Sequence, residues 1–66
     1  MNLDEVKKRV TDIDAMKGDD EAAHNAEDKL HVDFIRHVAA VGSPELAEMA
    51  NEILKVCDFD FARWYA

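Results

Sequence analysis

A chain of 66 residues has room for one thin core, because a protein this small buries only about 60% of the surface its unfolded form exposes. Fifteen acidic against eight basic residues leave a formal charge of −7 and an isoelectric point near 4.7. That balance repels nucleic-acid phosphates and anionic membrane surfaces, and it argues against direct nucleic-acid binding. A hydrophobic fraction of 48% excludes wholesale disorder, although Ala and Val supply much of it.

Asn2 followed by Glu5 reads as a helix N-cap with its capping-box partner, and Asp4 and Glu5 suit the positive end of a helix dipole. Leu3, Val6, Val10, Ile13 and Met16 or Lys17 then recur at spacings of three and four, which predicts a first helix over about residues 3–17. Gly18 stands where a left-handed C-cap is wanted, and Asp19-Asp20-Glu21 can cap the next start. So short a link reverses the chain into an antiparallel hairpin.

The second helix is predicted over residues 20–41, with Ala23, Ala26, Leu30, Phe34, Val38 and Val41 on one stripe. It is the longest predicted element, and the others must pack along it. Gly42 is expected to be a second C-cap glycine. Ser43-Pro44 supplies an N-cap residue and a first-turn proline for a third helix over about 44–57. Its inward stripe reads as Leu46, Met49 or Ala50, Ile53, and Val56 or Cys57. In the remaining tail, 58–66, Asp58 or Asp60 can cap a last turn. The expectation is a single all-α domain over 1–66: a small three-helix bundle, made of a helical hairpin and a third helix, closed by an aromatic C-terminal tail. The second helix is longer than its partners, and a homodimer would bury the apolar surface they leave uncovered.

Two groups of residues are candidates for a site. His24, Glu27, Asp28 and His31 lie at i, i+3, i+4 and i+7, within about 100° of one helix face. Helical metal sites need ligands one turn apart, but a bundle site also draws ligands from a facing helix. This set reaches that number only if a symmetric dimer supplies a second copy. The simpler reading leaves these four as edge and surface residues.

The other group is the tail, where Phe59, Phe61, Trp64 and Tyr65 place four of the five aromatics in the last eight residues. They either close the end of the bundle, with Trp64 as the lid, or present Arg63, Trp64 and Tyr65 as a docking patch of the residue types enriched in binding hot spots. His37 reads as a boundary histidine beside Asp33, and Cys57 as a small inward hydrophobe. No catalytic signature is present, and no cofactor is expected.

Ala23-His24-x-x-Glu27-Asp28 together with the ending Asp58-Phe59-Asp60-Phe61-Ala62-Arg63-Trp64-Tyr65-Ala66 resembles a group of small proteins encoded by bacteria and their prophages. The resemblance implies a stand-alone cytoplasmic protein and carries over no catalytic or binding residue. Tyr65 stands where that group has a Cys, so no thiol role carries over either.

The residues at Met1-Asn2-Leu3-Asp4-Glu5 show neither the basic start nor the apolar run of a secretory signal, and no segment approaches the ~20 apolar residues that cross a bilayer. The expected address is the cytoplasm. The expected function is a non-enzymatic, acidic protein-interaction module of accessory or regulatory type, with a dimer-completed metal site as the alternative.

Overall fold

The structure is a computed structural model that describes residues 1–59. Three α-helices, α1 (Leu3–Ala15), α2 (Asp20–Val41) and α3 (Pro44–Leu54), are followed by a 3₁₀ turn over Lys55–Asp58, with no strand among the described residues. The fold class is the expected one, a small all-α three-helix bundle. The described residues divide into two units, Met1–Leu30 and 31–59, and α2 runs from the first into the second.

In the first unit the helix starts form as the sequence predicts. Asn2 accepts a hydrogen bond from the Glu5 amide at 2.9 Å, and Asp19 accepts one from the Ala22 amide at 3.2 Å. Each side chain satisfies an amide that has no partner inside its helix. Ion pairs one turn apart, Lys8 to Asp12 at 2.9 Å and Lys17 to Asp14 at 3.2 Å, lie on the surface. They contribute only about 0.3–0.5 kcal/mol each. Val6 and Ile13 are half-buried, as expected, and so are Ala22, Ala23, Ala26 and Leu30 on the early part of α2. Leu3, Val10 and Met16, placed on the same inward stripe by their spacing, are exposed.

The link between α1 and α2 corrects the C-cap expectation. Helix α1 ends at Ala15, two residues early, and no glycine has a positive φ. Three bonds that reach back three residues close the turn instead: Met16 to Ile13, Lys17 to Asp14 and Asp19 to Met16. A tightened last turn satisfies the terminal carbonyls, so a left-handed residue is not needed.

In the second unit Ser43 caps α3 through the Leu46 amide at 3.4 Å, with Pro44 in the first turn. Only Gly42 and Ser43 connect α2 to α3. Gly42 is not a left-handed cap either; its amide donates to Val38 O at 2.8 Å, continuing the helical pattern. What the position requires is the absence of a side chain. A β-carbon there would stand 2.6 Å from the Val38 carbonyl oxygen, 3.2 Å from Val38 Cγ1 and 3.4 Å from Leu46 Cβ.

On α3, Ala50 is buried at 5% exposure, and Ala47 and Leu54 are half-buried. Of the predicted inward stripe, Ala50 is buried as the alternative to Met49, whereas Leu46, Met49, Ile53 and Val56 are exposed, which corrects the rest of the stripe. On the later part of α2, Val32, Ile35, Val38 and Ala39 are half-buried, whereas Phe34 and Val41, assigned inward by their spacing, are exposed.

Helix α3 gives way to 3₁₀ geometry after Leu54. The change from about 100° to about 120° per residue defeats an α-helical extrapolation to Val56 and Cys57. Cys57 is exposed rather than inward.

The two glycines separate cleanly by experiment. Gly42→Ala forces a backbone shift and is expected to lower stability by about 1–3 kcal/mol. Gly18→Ala meets nothing within 4 Å and is expected to be neutral or to raise stability by about 0.4–1 kcal/mol, through a less flexible unfolded chain. Urea unfolding followed by circular dichroism measures both.

Candidate functional site

The sequence directs attention first to His24, Glu27, Asp28 and His31. All four lie on α2; His24 is half-buried, and Glu27, Asp28 and His31 are exposed. Among the described residues no group of three or more His, Cys, Asp or Glu is arranged to hold a metal ion. Helix geometry explains why. Residues seven apart are separated by about 10 Å along the axis, which sets His24 and His31 too far apart to converge readily on one ion.

The second sequence candidate, Arg63, Trp64 and Tyr65, lies outside the described residues, as do Asp60 and Phe61. Phe59 is described and is 56% exposed. In the first unit, Arg9, Asp12, Ile13 and Met16 of α1 and Ala26 and Lys29 of α2 line a cavity of about 140 Å³. Pockets that enclose a small-molecule ligand are about 300–1,000 Å³, so this one is too small for that purpose.

What the structure does present is apolar surface. On α3, Leu46, Met49 and Ile53 are 50%, 48% and 54% exposed. Their spacing of three and four puts them in one row. Each follows directly after a glutamate: Glu45 precedes Leu46, Glu48 precedes Met49, and Glu52 precedes Ile53. An acidic row thus runs beside the apolar one with the same repeat. Helix α3 carries no lysine or arginine. The nearest cation along the chain, Lys55 in the 3₁₀ turn, pairs with Glu52 at 2.7 Å. On α2, Phe34 and Val41 add exposed apolar surface, seven residues apart on one face.

Sequence reasoning placed Leu46 and Ile53 inside, with Met49 or Ala50 between them, from their spacing. Ala47, Ala50 and Leu54 share a helical repeat as well, so α3 carries two apolar faces.

No protein-family model matches the chain, and comparison with curated proteins and with solved structures found no match.

Two measurements check this description. The Cys57 thiol is expected to react with an aromatic disulfide reagent in the native protein, without denaturant, to the same extent as in the unfolded chain. Isothermal titration with Zn²⁺ is expected to give no micromolar binding that His31→Ala removes.

Proposed function

We propose that this protein is a small acidic interaction module, accessory or regulatory rather than enzymatic, that works in the cytoplasm through its protein surface. The observation that supports this reading is the exposure of large apolar side chains in residues 31–59, Phe34, Val41, Leu46, Met49 and Ile53 among them. Scattered single hydrophobes are ordinary on a protein surface, but rows at helical spacing form continuous apolar patches. Covering three half-exposed aliphatic side chains contributes about 3 kcal/mol, which is enough to matter for association. No helix of the described residues is long and apolar enough to cross a membrane.

Within this reading, Phe34 and Val41 on α2 serve self-association into a homodimer, the expectation for a chain with so thin a core. Arg63, Trp64 and Tyr65 are proposed as additional docking residues on the chemistry of their side chains, which combine large contact area with polar ends. A bacterial or prophage origin is proposed on the sequence resemblance alone.

Sedimentation at micromolar concentration is expected to show a dimer that Phe34→Lys dissociates while the far-UV spectrum stays unchanged. A monomer at every concentration would rule out the homodimer. Trp64→Ala is expected to leave the urea midpoint where it is. A loss of about 3 kcal/mol would instead assign Trp64 to the core.

A further inference from the structure

The parallel rows on α3 say more about the occupant than apolar exposure does. We propose that α3 receives a basic amphipathic helix of a partner protein, an inference that rests on the reading of this chain as an interaction module and names the class of its partner. The apolar row Leu46, Met49 and Ile53 has the i, i+3, i+7 repeat by which one helix engages another. Beside it the carboxylates of Glu45, Glu48 and Glu52 repeat at the same interval, and α3 holds no cation to answer them. A partner helix with an aliphatic row flanked by lysine or arginine at the same spacing satisfies both rows at once. The Glu52 pair with Lys55 is exposed on both sides, with side chains 66% and 63% accessible, so an incoming cation displaces it at little cost.

The α3 of a second copy is a poorer occupant of the same row. It brings three more glutamates and no lysine or arginine to meet the first three. Like charges juxtaposed at an interface are unfavourable. The row is also short. Three side chains on an 11-residue helix fall well below the roughly 800 Å² per partner of a stable interface. Binding at this row therefore depends on electrostatic attraction, in keeping with the net charge of −7.

The test uses two labelled helical peptides of about four turns with identical leucine rows. One is flanked by lysine and arginine, the other by glutamate. Fluorescence anisotropy against the full chain at about 50 mM salt should show the basic peptide binding at least about tenfold more tightly. Met49→Ala with Ile53→Ala should weaken that binding by about tenfold, and Glu48→Gln with Glu52→Gln should remove most of the preference for the basic peptide. These side chains are exposed, and an unchanged far-UV spectrum will confirm that each variant is folded.

Equal affinity for the two peptides, or binding that survives the Met49 and Ile53 changes, would overturn the proposal. So would a dimer that Ile53→Lys dissociates, since a second copy would then occupy the row. If neither peptide binds but the chain self-associates through Phe34, the basic-helix proposal falls and the interaction-module reading stands. If there is neither peptide binding nor self-association, both fall.

Discussion

Gly42 follows directly on α2, and its amide still bonds the Val38 carbonyl oxygen four residues back, so the backbone at this position leaves no room for a side chain. The Val38 carbonyl oxygen would lie 2.6 Å from any β-carbon at this position, and Leu46 sits just beyond. With only Gly42 and Ser43 between α2 and α3, the second helix leaves the first with little room to separate. On α3 the most enclosed residue is Ala50, while its larger neighbours Leu46, Met49 and Ile53 are exposed.

Among the described residues the buried side chain is that of Ala50, so the core is thin. Alanine removes little apolar area from water compared with leucine or phenylalanine, so a contact made of alanines contributes less hydrophobic stabilisation than one made of large side chains. The helices compensate locally. Asn2, Asp19 and Ser43 each cap a start, and a tightened turn finishes α1. Caps of this kind contribute about 1 kcal/mol each, a meaningful share for a domain of marginal stability. Charge acts in the opposite sense. An excess of carboxylates disfavours the compact state through self-repulsion, and it keeps the apolar rows from nonspecific association with other acidic proteins.

The elements themselves were legible in the sequence, because the residues that start and stop helices act through local chemistry. The bounds of α2 match the prediction at both ends, set by Asp19 on one side and the Gly42-Ser43-Pro44 run on the other. The directions in which side chains point were less legible. Spacing identifies which residues share a face, but it cannot say which of two apolar faces is covered when a helix carries both. In α3 the large residues Leu46, Met49 and Ile53 compete with Ala47, Ala50 and Leu54. The choice is made by tertiary packing, which no local pattern contains. Cys57 was misplaced for a different reason: the pitch changes after Leu54, and a period read from the preceding turns does not carry across the change. For the metal candidate, the spacing of His24, Glu27, Asp28 and His31 was read correctly as one face, but convergence on an ion needs ligands that a single straight helix does not bring together.

The turn at Met16 to Asp19 and the caps named above share one property. Every hydrogen bond in them joins residues three apart in the chain. Forming such bonds closes very short loops, so little chain entropy is lost before each one is made. Proteins organised in this way belong to the rapid end of the kinetic range, reaching their native state in microseconds to milliseconds. Local opening is easiest where few apolar groups are covered, and α1 has no buried residue whereas α3 has Ala50, so amide hydrogens around Ala50 are expected to exchange last.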